Sequence, residues 1–169
     1  KTHQDLIQHI CSMGHEIASH SMTHTPLNKL TSTQLQYELV KSKELLEDIT
    51  GASVLGFRAP MLINYPDHDV FVNKIKAAGY KYDSSFMINT AKKIFNHYKG
   101  PMFCTTNKDF FELPVSLAKL GIWKIPIGGT YLKLFNSKKL SHKIDKANRS
   151  GNSVVLYTHP YEIDHHPIS

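Results

Sequence analysis

Gly14-His15-Glu16-Ile17-Ala18-Ser19-His20-Ser21-Met22-Thr23-His24 is the stretch on which the reading of this chain turns. Ile17 and Ala18 close a short apolar run, and two imidazoles four residues apart follow it, where a buried strand reaches the mouth of an α/β fold. Neutral imidazole is a good ligand for zinc and similar divalent ions. His-x3-His lets two rings converge on one ion from a single turn or tight loop. Taken alone the pair is weak evidence, because a chain of 169 residues with 11 histidines offers roughly one such spacing by chance. It gains weight from three later stretches: Gly56-Phe57-Arg58-Ala59-Pro60, Tyr82-Asp83-Ser84-Ser85 and Leu156-Tyr157-Thr158-His159-Pro160.

Working outward, Leu6, Ile7, Ile10 and Met13 recur at helical spacing before Gly14, which predicts an amphipathic helix packed on a sheet and feeding a strand near 15–19. A helix that leads at once into a buried strand implies a strand before it, so the α/β unit is expected to be incomplete at its N-terminus. Thr31 and Gln34 form a capping box ahead of the stripe Leu35, Leu39, Leu46 and Ile49, closed by Gly51. Strands are expected at 54–57 and 80–84, with a helix from about Asp67 to Ala78 between them. Val70, Phe71, Ile75 and Ala78 form its inward side and Gly79 its stop. Residues 87–108 show little periodicity and read as a long surface excursion. A strand at 110–115 follows, with Pro114 at its end or marking an edge. Further strands are expected at 123–127 and 154–158, separated by a helix capped by Ser137. The alternation predicts parallel strands whose C-terminal ends share one face, where the polar motifs converge.

The length fits one domain spanning residues 1–169, and 41% apolar residues suffice for a sizeable core. No apolar run is long enough to cross a bilayer, and the first residues lack a signal-peptide pattern. Cys11 and Cys104 read as ordinary thiols. A net charge of +6 raises the question of a polyanionic partner. The lysines, however, lie singly or in pairs with no aromatic-interleaved basic tract, so no nucleic acid is expected.

His20-Ser-Met-Thr-His24, Arg58-Ala-Pro60, Asp83 and His159, in that order, resemble successive motifs of the polysaccharide deacetylases with a NodB-homology domain, carbohydrate esterase family 4. Glu112-Leu-Pro-Val-Ser116, Ile125-Pro-Ile-Gly-Gly129 and Tyr157-Thr-His-Pro-Tyr-Glu162 are similar to a subgroup associated with exopolysaccharide loci. The resemblance implies a distorted (β/α) barrel and metal-dependent removal of N-acetyl groups from an N-acetylated glycan. By the same resemblance the compartment is the bacterial cytoplasm or cell envelope.

The resemblance also implies roles. His20 and His24 would hold a divalent metal, most simply zinc. The base and third ligand, an Asp of a T-F-D-D-type motif, is absent from the residues before His20 and is expected upstream of this chain. Arg58 would pair with that base, His159 would be the general acid, and Asp83 would tune it. Met61 stands where many members carry Tyr, and its main-chain N–H could serve the oxyanion. Tyr157 and Trp123 are candidates to line the sugar pocket, or equally to be core. The alternatives are a non-catalytic glycan-binding relative, an amidohydrolase acting on a small cyclic amide, and a basic phosphate-ester-cleaving domain. The last is disfavoured by the histidine-dominated motifs.

Overall fold

The computed structural model describes residues 3–63, 68–87, 97–99, 102–104, 109–151 and 153–163. Five short strands, β1 (Gly56–Phe57), β2 (Tyr82–Asp83), β3 (His97–Lys99), β4 (Met102–Cys104) and β5 (Phe111–Glu112), form one sheet in the order β1-β2-β5-β4-β3. β1, β2 and β5 run parallel, in a register that sets Phe57 beside Asp83 and Asp83 beside Glu112. β4 is antiparallel to both β5 and β3. A parallel bridge from Ser19 to Phe57 carries the sheet one step further. Hydrogen bonds from the Ser19 N–H to the Gly56 carbonyl and from the Arg58 N–H to the Ser19 carbonyl, both 2.9 Å, secure it. The order expected for an α/β unit is therefore present, although the ladders are shorter than the apolar runs suggested.

Helix α2 (Ser32–Thr50) begins at the expected box: the Gln34 N–H donates to the Thr31 side chain, and the Thr31 N–H donates to the Gln34 side chain. It ends at Gly51 in the left-handed conformation, φ 67°, which glycine adopts without a Cβ clash. Leu35 and Leu39 bury against Val54, Phe57, Ile75 and Tyr80 to make the core between helix and sheet. Tyr80 is accommodated there because its hydroxyl donates to the Leu39 carbonyl at 2.8 Å; an unpaired hydroxyl would be costly. Helix α3 (His68–Ala77) buries Phe71, Val72 and Ile75, whereas Val70, expected on the inward side, is exposed. Its expected start at Asp67 lies outside the described residues.

Four expectations are corrected. Helix α1 (Gln4–Ser12) buries none of its residues; it lies against the end of α2, with the Gln8 amide donating to the Ile49 carbonyl, and not on the sheet. Of the 87–108 excursion, Met87 bridges Val115, and 97–99 and 102–104 are strands extending the sheet; residues 88–96, 100–101 and 105–108 lie outside the described residues. The 123–127 strand is β7 (Trp123–Pro126), paired antiparallel with an unforeseen β6 (Leu117–Leu120) in a separate hairpin. Finally, Asn136 caps helix α4 (Ser137–Arg149) through its side chain, and Ser137 is the first helical residue.

Pro114 follows the end of β5, as its missing N–H requires. The 154–158 strand is represented by one parallel bridge, Tyr157 to Gly128, and a short helix α5 (Pro160–Ile163) comes next. Among the described residues no helix is long and apolar enough to cross a membrane.

Leu39 is fully buried and Val70 is not. Leu39→Ala is therefore expected to cost about 2–5 kcal/mol of unfolding free energy, and Val70→Ala no more than about 0.5 kcal/mol. Urea titration of the two variants against wild type measures both.

Candidate active site

The loop after Ser19 is held by one carboxylate. Glu38, buried on α2, accepts from the Ser21 hydroxyl (2.6 Å), the Met22 N–H (2.8 Å), the Thr23 N–H (2.9 Å) and the Thr23 hydroxyl (2.8 Å). Burial alone would raise its pKa, but the hydrogen bonds from Ser21, Thr23 and Met22 outweigh it and hold the group ionised below its usual range. Within this clamp Ser21 and His24 take left-handed backbone angles, φ 70° and 59°, which brings the His20 and His24 rings edge to face at 5.0 Å. His20 Nδ1 lies 2.8 Å from the Arg58 carbonyl. A carbonyl only accepts, so Nδ1 carries the proton and Nε2 keeps a free lone pair. Burial and the neighbouring His24, Arg58 and His159 together lower the His20 pKa, favouring the neutral ring a metal requires.

Arg58 follows β1, and its guanidinium is fixed by Ser84, with Nε donating to the carbonyl (3.1 Å) and Nη2 to the hydroxyl (2.6 Å). Beneath it two acids face each other across β2 and β5. Asp83 and Glu112 are register partners and both fully buried. Asp83 Oδ1 accepts from the Ser85 hydroxyl, which itself accepts from the Ala59 N–H. Glu112 Oε1 accepts from the Phe86 N–H at 3.1 Å. The second oxygen of each acid finds no donor among the described residues; one proton shared between them satisfies both. Burial pushes Asp83 up to about 6, and burial together with the Asp83 charge pushes Glu112 well above the carboxylate range. The pair therefore carries a single negative charge against Arg58.

On the far side His159 sits between two tyrosines: Tyr161 stacks on it at 5.0 Å, and Tyr157 meets it edge-on at 5.8 Å. Glu162 accepts from the His159 N–H (2.8 Å), and the same oxygen lies 3.3 Å from Nδ1. Glu162 is thus the carboxylate beside this ring. Asp83 acts one layer down, on Arg58. Tyr157 is seated by Gly128 and Gly129, where an added Cβ would fall 2.3 Å and 2.9 Å from its ring.

These pieces enclose one cavity of about 810 Å³, walled by His20, Arg58, Met61, Tyr157 and His159. Of the residues singled out by sequence, His24 joins through His20 and Asp83 lies under the floor. Trp123 does not join: it is 70% exposed and outside the cavity lining, neither pocket wall nor core. Tyr131 lines the wall instead. The unforeseen contributors are Glu38, Glu112 and Glu162. The last two lay inside quoted motifs, and Glu38 was legible as an acid beside Leu39 on the buried face of α2. His20 and His24 suit a divalent ion in donor type. Among the described residues they form no cluster with a third His, Cys, Asp or Glu.

Both floor acids have folded-state pKa values above their unfolded ones, so the native state holds more protons. Their contribution is complete below the unfolded carboxyl range and is lost as pH rises through the folded values. Wild-type unfolding free energy is expected to decline as pH rises through about 6, the folded-state value of Asp83, and to go on declining as Glu112 ionises above it. Glu112→Gln, which keeps a neutral donor facing Asp83, should flatten that decline. Equal slopes in the two proteins would rule out the shared proton.

The sequence profile of the polysaccharide deacetylase family matches residues 1–82, and a domain of unknown function (DUF3473) matches residues 85–168. The chain is 30% identical over 89 residues to a peptidoglycan deacetylase of Helicobacter pylori, covering 53% of this chain and 29% of that protein. It is 37% identical over 76 residues to a peptidoglycan deacetylase-like protein of Gibberella zeae, covering 45% and 22%. The chain thus spans less than a third of either relative. In fold it is similar to a Mycobacterium smegmatis protein assigned to the polysaccharide deacetylases, with a TM-score of 0.61 and 24% identity, over 94% of this chain and 54% of that one. It is also similar in fold to Puue allantoinase, with a TM-score of 0.58 and 15% identity, over 93% and 49%. The order of the motifs, the α/β fold that gathers them round one cavity, and the match over residues 1–82 agree: the first half of the chain carries the sequence profile of the polysaccharide deacetylase family, and the chain is similar to that family in fold.

Proposed function

We propose that this chain carries most of the site of a hydrolase that removes N-acetyl groups from an N-acetylated polysaccharide. The observation that carries the reading is that His20, Arg58, Tyr157 and His159, from motifs spread over the whole chain, wall one cavity. His20 and His24 would hold a divalent ion, zinc being the simplest choice for two imidazoles, with a carboxylate encoded upstream of Lys1 as third ligand and base. Such an ion supplies polarisation of the acetyl carbonyl and acidification of water.

The chain's own residues would do the rest. Arg58, its guanidinium pinned by Ser84, presents a fixed positive charge that holds the base carboxylate ionised and oriented. Met61, at the cavity wall, offers its main-chain N–H to the developing oxyanion. As the C–N bond breaks, the leaving nitrogen needs a proton. His159, which lines the cavity beside Glu162 and between Tyr157 and Tyr161, would deliver it. Tyr157 offers a flat face to the sugar.

Residues 1–169 would form one catalytic domain, since β2 and β5 join the two matched halves in one sheet. Its parallel strands would be an arc of a distorted (β/α) barrel. The subgroup associated with exopolysaccharide loci is supported by the second-half motifs, in which Glu112, Gly128, Gly129 and Glu162 all have structural work. A small cyclic amide is the rival substrate, because the fold is shared with an allantoinase. The cavity, near the upper end of the range for small-molecule pockets, fits several sugar units better than one small ring.

The test is acetate and free-amine release from N-acetylated chitooligosaccharide by the protein with its upstream sequence, with allantoin as the competing substrate. Release from the glycan is expected, and hydrolysis of the ring alone would overturn the reading. His159→Ala should retain metal and lose about 10²–10⁴ in turnover. His20→Ala and His24→Ala should lose metal first, because each removes a ligand. Glu38→Ala should weaken metal retention by about 10–100-fold, as loss of a supporting partner does, with Glu38→Gln in between. Metal analysis of the purified variants separates the three classes.

A further inference from the structure

Trp123 is the one tryptophan of the chain, and the cavity does not use it. It stands with Ile122 at the turn of the β6–β7 hairpin, where the two side chains are 70% and 91% exposed. Gly121, φ 60°, makes that turn. Around this apolar tip the charge is one-sided. Lys119 and Lys124 are direct cross-strand partners, an arrangement of like charges that destabilises a ribbon. Lys143 of α4 reaches the Lys119 carbonyl at 3.4 Å. Lys139 and Lys146 share the Lys143 face of the helix by their spacing.

The lysines look scattered along the chain, but hairpin and helix gather them. Residues 117–149 contain eight of the 20 Lys and Arg with Asp145 the one acid, whereas the remainder has 12 cations against 13 acids. The whole positive excess of the chain therefore lies on this one region.

We propose that the β6–β7 hairpin is an interfacial anchor that docks this protein on an anionic lipid bilayer, Ile122 and Trp123 entering the headgroup boundary inside a collar of lysines. The occupant is decided by Ile122. A tryptophan with lysines would suit a polyanionic polymer or a sugar, but a fully presented aliphatic side chain gains only where there is hydrocarbon to enter. Tryptophan prefers that boundary, and each lysine near an anionic surface adds attraction that salt weakens. The opposed lysines, a cost to the free hairpin, become favourable once phosphates lie between them. β7 runs from Trp123 to Pro126, which lines the cavity, so the anchor would hold the cavity mouth within about 10 Å of the surface. The inference is independent of the reaction carried out there.

Because Trp123 is unique, its fluorescence reports the contact directly. The full chain is titrated with vesicles of phosphatidylcholine containing phosphatidylglycerol, with phosphatidylcholine alone, and with heparin. Expected are a blue shift and co-sedimentation with the anionic vesicles, both suppressed by salt. Lys119→Gln with Lys124→Gln should weaken binding roughly thirtyfold. Ile122→Ser should weaken it while leaving the circular dichroism spectrum and melting temperature unchanged. Absence of co-sedimentation, equal binding to neutral vesicles, or an equal Trp123 response to heparin would each overturn the proposal, the last by making the surface a polyanion site.

Discussion

The row Phe57, Asp83, Glu112 across β1, β2 and β5 ties the core to the cavity. Phe57 packs in the apolar core with residues of α2 and α3 and also lines the cavity. Placing two carboxyls in a fully buried row would be prohibitive if both ionised, since desolvation and mutual repulsion add. One shared proton reduces the pair to a single charge, and Arg58 lies close enough to compensate it. The guanidinium can then be rigid without being bound to substrate, because Ser84 takes two of its donors. Parallel register matters here. A shift of one residue in β5 would turn Glu112 to the opposite face of the sheet and leave Asp83 without its partner.

A second constraint works on the histidine loop. Left-handed angles at Ser21 and His24 cost on the order of 1 kcal/mol each for residues with a Cβ. They persist because Glu38 collects four donors from three consecutive residues. The carboxylate sits on α2, whose Leu35 and Leu39 are locked in the core. The geometry of two solvent-facing imidazoles is thereby referred to the most rigid part of the fold. Ligand orientation is in this way a property of the core as much as of the loop.

The second half of the chain meets the first through close packing. Gly128 and Gly129 leave room for the Tyr157 ring against their backbone, and Tyr157 in turn fixes one side of His159. The short turn of α5 then brings Glu162 back onto the His159 main chain. Two glycines of one motif and a tyrosine and an acid of another thus specify one imidazole. The hairpin that begins beside Ser116 leaves this packed region and ends in its exposed apolar tip.

Local chemistry was readable in the sequence. The Thr31 capping box, the stop at Gly51, the Leu35 and Leu39 stripe and the polar ends of the strands depend on neighbours a few residues away, and the structure repeats them. Of the strand-end residues expected on one face, His20, Arg58 and His159 line one cavity, whereas His24 and Asp83 stand outside its lining. What depends on distant partners was not readable. The exposure of α1 and Val70, the pairing of β6 with β7, and the removal of Trp123 from the site follow from which surfaces face each other. So does the contact of Glu162 with His159. Periodicity marks a side chain as apolar or polar, but burial and protonation are set by what packs opposite, and only the tertiary structure brings Asp83 to Glu112 and Glu38 to the histidine loop.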